Sequence, residues 1–124
     1  RPREAIEPLS RAVALAPDAG LIRMLYGQAL LATGERGNLD KAIAELKRAT
    51  DQEPEAISGL RQLAIAYGKK GDVVRADLVS ARANFAAGNI DLAKQFAARV
   101  QHRAPRGSPL WLQADDIINF KPPG

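Results

Sequence analysis

The 124-residue chain has no cysteine and one histidine, His102. The first absence excludes a disulfide framework and a thiolate metal site. The second excludes H-E-x-x-H, which needs two histidines four residues apart so that both face one metal. It also leaves His102 short of the three or four clustered donors that zinc requires, so no catalytic residue, metal site or cofactor is expected in this chain. His102 instead reads as an exposed late-helix residue near the negative end of the helix dipole. Aromatics are few, with three Phe, two Tyr and one Trp. No stretch reaches the roughly 18 apolar residues of a membrane span, and no secretory leader is legible. The opening "RPREAIEPL" lacks Met and is already in helical pattern, which reads as a piece of a longer chain.

What remains is rich in Ala, Leu, Arg, Lys, Gln and Glu, the good helix formers. The net charge of +4 is uneven. Residues 1–60 hold 8 Lys/Arg against 9 Asp/Glu, residues 61–106 hold 9 against 3, and residues 107–124 hold 1 against 2. Such a basic block serves an acidic partner, an anionic surface or simply a solvated face.

Apolar residues recur at three- and four-residue steps, the mark of one buried stripe per helix. Breakers interrupt them at Pro17 to Gly20, Gly34 to Asn38, Glu53-Pro54, Gly71-Asp72, Gly88-Asn89 and Ala104 to Ser108. Glycine closes a helix in the left-handed region and Asp or Asn caps the next. The pattern predicts an all-α fold of about seven helices near 2–16, 19–33, 38–53, 55–70, 72–87, 89–104 and 108–119, with a loose tail over 120–124. Short breaks make neighbours antiparallel. In "AYGKKGDVVRA", Gly71 would supply the turn and Asp72 the cap. Ser108 before Pro109 reads as another cap.

The breaks repeat. "NLDKAIAELKRATDQEP" (38–54) aligns with "NIDLAKQFAARVQHRAP" (89–105) over the same length, and "REAIEPLSRAVALAP" (3–17) fits the frame. Helical hairpins that cannot each bury a face alone stack into a solenoid.

These residues resemble the tetratricopeptide repeat. Gly27, Leu30, Gly34, Ala42, Ala49 and Pro54 match one unit, and Leu60, Leu63, Ala64, Tyr67, Gly71, Asp72, Ala76 and Ala83 match the next. The resemblance implies a right-handed superhelical stack of hairpins over 1–119. Two departures stand out. "TGERGNLD" carries a three-residue insertion, read as a lengthened turn. Gly71 and Gly88 lie only half a repeat apart, so the helix at 72–87 would close one hairpin and open the next.

A narrower resemblance lies in the tail. Gly107, Ser108, Pro109, Trp111, Ala114, Asp116 and Ile117 look like the C-terminal end of BepA-type zinc metallopeptidases, in which repeats follow a catalytic domain. That likeness implies a periplasmic protein of outer-membrane protein quality control, with zinc held by the parent's catalytic domain. Its repeats would contact polypeptide substrates, partner proteins and that catalytic domain.

Other candidates for chemistry read as structure. Asp115 and Asp116 are adjacent, hence about 100° apart on a helix. "GERGN" lacks the lysine and strand of a phosphate loop. Ser58, Ser80 and Ser108 have no nearby histidine. Trp111 at the last helix reads as core, covering the end of the stack. A nucleic-acid surface would need the basic residues on one face interleaved with aromatics, and only Phe85 and Phe96 are at hand, so no nucleic-acid partner is expected.

The repeat resemblance implies a concave groove lined by the first helix of each hairpin. By position these are Leu21, Met24, Gln28 and Leu31, then Ser58, Arg61, Ile65 and Lys69, with Arg75, Leu78 and Arg82 from the half-repeat. That mixture suits a peptide with apolar anchors and some acidic character. The family's carboxylate clamp is not present, since Leu25, Gln62 and Val79 occupy its asparagine positions. Part of this surface would equally serve to dock the parent's catalytic domain. A stand-alone adaptor in secretion or envelope assembly is the alternative function, and a basic nucleic-acid-binding helical repeat is a third, less favoured one.

Overall fold

The computed structural model describes residues 1–123. It contains α1 (Pro2–Leu15), α2 (Gly20–Ala32), α3 (Arg36–Gln52), α4 (Ile57–Lys70), α5 (Val73–Ala86), α6 (Ile90–Arg103) and α7 (Pro109–Ile118). There is no strand among the described residues. Each helix packs against the next along the chain, as short connectors demand.

The connectors follow local chemistry. Gly71 ends α4 at φ 86°, in the left-handed region, which costs glycine least. Asp72 then accepts the Arg75 backbone N–H at 3.1 Å and caps α5. Ser108 is the N-cap residue of α7, but its hydroxyl makes no capping hydrogen bond. Two boundaries differ from the sequence reading. Helix α4 starts at Ile57 rather than 55, because Pro54 and Glu55 form the turn that follows α3; the proline keeps Glu53 before it out of helix and so ends α3 at Gln52. Helix α3 starts at Arg36 rather than 38. Gly37 is therefore helical, and much of the insertion lengthens α3 instead of the turn.

Close approach explains the small residues. Ala42, Ala49, Ala66, Ala81, Ala93 and Ala97 are fully buried, letting backbones meet while Leu30, Leu46, Leu60 and Leu63 fill the space beside them. Each such leucine contributes about 1.5–3 kcal/mol through burial. A first core joins α1 to α5 and takes Val79 and Ala83 from α5. A second takes Leu78 and Ala81 from α5, with Ala97, Val100 and Ala114 from α6 and α7. Helix α5 thus serves both cores, the double duty that the spacing of Gly71 and Gly88 anticipates.

Next-but-one contacts change frame at the same place. The backbones of α2 and α4 approach closely, as do those of α5 and α7, but those of α4 and α6 and of α3 and α5 do not. The end of the stack is covered by Leu110, Ala114, Ile117 and Ile118. Trp111 is only half-buried and stands outside that core, because the Leu110 register of α7 faces inward. Phe120, at the start of the tail, is held: its ring meets Phe85 edge-on at 4.7 Å and its carbonyl accepts from Lys94 Nζ at 2.8 Å. Residues 121–123 are exposed and irregular.

Candidate functional site

Where α4 and α6 diverge, α5 forms the floor of an open cleft of about 280 Å3. Arg61, Ala64 and Ile65 of α4 make one wall, Phe96 of α6 the other, and Ser80, Ala83 and Asn84 the floor. Residues 61 and 65 lie one helical turn apart, as do 80 and 84, so each pair points the same way. Ile65 is 48% exposed, and Phe96 is half-buried against the second core. The Arg99 guanidinium stacks over the Phe96 ring at 4.9 Å, a cation–π contact. Asn84 Nδ2 donates to the Ser80 carbonyl at 2.8 Å, leaving its side-chain oxygen as an acceptor. No acidic residue lines the cleft, so the charge of Arg61 is uncompensated there.

The face extends onto α2. Gln28 Nε2 donates to Ser58 Oγ at 3.3 Å, tying α2 to α4. Beside it Leu21 and Leu25 are well exposed. The structure thus ties Gln28 of α2 to Ser58 of α4, with Arg61 and Ile65 following along α4, while Leu21 is exposed on α2.

The other predicted lining residues lie elsewhere. Met24 is 6% exposed, with its thioether end packed at Gly59; it belongs to the core and offers nothing to a ligand. Leu31 is likewise buried, and shares with Lys69 a small hollow of about 200 Å3 at the α2–α3 turn. Leu78 is buried in the second core while also flooring a different depression, together with Arg75 and Arg82. On a helix, positions 75, 78 and 82 point roughly opposite to 80 and 84, so these three residues face away from the cleft. The frame change at α5 divides the predicted groove.

Asn84 escaped the sequence reading, while Ser80 and Phe96 were considered there only for other chemistry, and Arg99 only as part of the basic block. Phe96 sits at core spacing, and nothing local distinguishes a core phenylalanine from a wall. The signal that could have found them is the half-repeat: if α5 opens a new hairpin, its polar positions 80 and 84 need an open neighbour.

Among the described residues no three or more His, Cys, Asp or Glu cluster, and His102 is exposed beside Arg99 and Arg103. That donor set does not fit zinc. Among the described residues no helix is long and apolar enough to cross a membrane.

No known family, no curated protein and no solved structure matches the chain. The tetratricopeptide and metallopeptidase likenesses rest on the residues quoted above.

Proposed function

We propose that this chain is a protein-contact module of tetratricopeptide type, a right-handed superhelical stack whose α4–α6 cleft holds a polypeptide segment. One observation carries the reading: α4 and α6 both pack on α5 while their backbones stay apart, leaving apolar walls at Ile65 and Phe96 over a floor of hydroxyl and amide groups. Apolar walls take side chains, while Ser80 and Asn84 offer partners to backbone N–H and C=O groups. The exposed leucines on α2 extend the apolar contact surface.

The parent is proposed to be a periplasmic zinc metallopeptidase of the BepA type, in which this module binds substrates or partners for cleavage elsewhere. Tethering of this kind raises local concentration without adding a reactive group. The basic residues favour protein over nucleic acid: Arg61 and Arg99 lie on one side of α5 while Arg75 and Arg82 lie on the other, so they make no single track for a phosphate backbone.

The test is to pan a phage-displayed library of random dodecapeptides on the immobilised chain. Among the recovered peptides, a class is expected to weaken at least tenfold on Ile65→Glu and on Arg61→Glu, with circular dichroism unchanged. A library yielding only peptides indifferent to both substitutions would remove the cleft from consideration. Sequencing upstream of Arg1 tests the parentage; a gene without H-E-x-x-H ends that part.

A further inference from the structure

The face of α5 opposite the cleft carries a second feature. Arg75, Leu78, Arg82 and Phe85 follow one another at three- and four-residue steps, making one stripe. They floor a trough bounded on one side by α3 and the turn after it, and on the other by α7. Two hollows, of about 560 and 620 Å3, meet at Arg82. From position 75 to 86 the floor runs about 16 Å at 1.5 Å per residue, room for about three turns of a ligand helix.

The trough carries donors that no protein group engages. Arg82 is half-buried and makes no hydrogen bond or ion pair with any described residue, whereas Arg75 is tied to Asp72 at 2.8 Å. Tyr67 lines the same hollow, and its hydroxyl has no hydrogen-bond partner among the described residues. Burial pushes the Tyr67 phenol up, opposed by the Arg75 and Arg82 charges, so at neutral pH it remains a neutral donor. Ser108 Oγ, at the α7 end, is buried and unpartnered. The five N–H donors of Arg82 are thus free to meet a ligand anion. The apolar floor between these groups is Leu63, Leu78 and Leu110. Two exposed acids also line the trough, Asp51 in the hollow with Lys47 and Glu55 in the hollow with Phe85, and neither forms an ion pair with Arg82 among the described residues.

We propose that this trough is a second binding site, taking a peptide segment whose carboxylate side chain is held by Arg82 and Tyr67 while adjacent apolar side chains cover Leu78 and Leu110. Arginine binds a carboxylate through two parallel N–H donors, which fixes the ligand's register as well as its charge. The site lies on the far side of α5 from the cleft, so the module can hold two segments at once.

The experiment pans the same dodecapeptide library on the Ile65→Glu chain, which silences the cleft. Enriched peptides should carry Asp or Glu within one turn of Leu, Ile or Phe. Arg82→Gln should weaken them at least tenfold, changing the peptide's Glu to Gln should cost the same, and the two losses should not add. Arg82→Lys should retain part of the affinity, since it keeps the charge and loses the fork. The proposal is overturned if no peptide is enriched, if the enriched peptides lack acidic residues, or if Arg82→Gln leaves binding unchanged. A concentration-dependent dimer dissolved by Arg82→Glu would also overturn it, assigning the trough to a second copy of the chain.

Discussion

Arg23 Nη1 donates to Glu45 Oε2 at 2.7 Å from a position only 4% exposed. Its Nη2 reaches the Pro17 carbonyl at 2.8 Å, which also accepts from Gln52 Nε2 at 2.9 Å. One guanidinium thus binds the α1–α2 turn to α3. Its Nε is buried without a partner, so Arg23 has no reserve. Glu45→Ala should cost about 3 kcal/mol by leaving a buried charge unpaired. Replacing both residues by Met and Leu should cost less than Glu45→Ala alone. Urea denaturation of the three variants decides it.

Two glycines give opposite expectations for the same substitution. A methyl group at Gly27 would stand 2.6 Å from Leu46 Cγ, and Leu46 is fully buried. Gly27→Ala should therefore destabilise by about 1–3 kcal/mol through overpacking. At Gly59 the obstacle is Met24 Cε at 2.8 Å, the end of a flexible side chain. There the gain in helix propensity of about 1 kcal/mol offsets the adjustment, and Gly59→Ala should lie near neutral. Melting temperatures compare the two directly.

Asp72 predicts an acid limb. Burial acts to raise its carboxyl, but the side-chain and backbone hydrogen bonds and the charge of Arg75 hold it below the usual carboxylate range. A depressed folded value means that the stabilisation is present above pH ~4 and is lost as pH falls through the folded value. Asp72→Asn should flatten that limb. Asp72→Ala should cost about 1 kcal/mol at neutral pH by removing the cap. Stability measured from pH 7 to pH 2 in wild type and Asp72→Asn shows whether the limbs differ.

Met24 and Ile65 stand together in the sequence-based groove, yet should respond differently to a carboxylate. Met24→Glu puts an unpaired charge into the core and should cost several kcal/mol. Ile65→Glu falls on an exposed wall and should stay within about 0.5 kcal/mol. Equal losses in thermal unfolding would contradict the burial of one and the exposure of the other.

Most of the fold was legible because it is made locally. Gly71 with a positive φ, Asp72 capping the next helix and Pro54 ending its predecessor act within a few residues. So does the three- and four-residue spacing of Leu60, Leu63 and Tyr67. The site was less legible. Arg61, Ile65, Arg75 and Arg82 were all named, but as one groove. Phe96 and Asn84 were left out of that groove because their positions on a helix do not say which neighbour is absent.

The residue order by itself determined the seven helices and the short connectors that set each beside the next, since turns and periodicity depend on adjacent residues. Only the tertiary structure decided that α4 parts from α6 and α3 from α5. Whether helices two apart meet depends on how both lie on the helix between them, and that packing sets which side chains are buried and which form a wall.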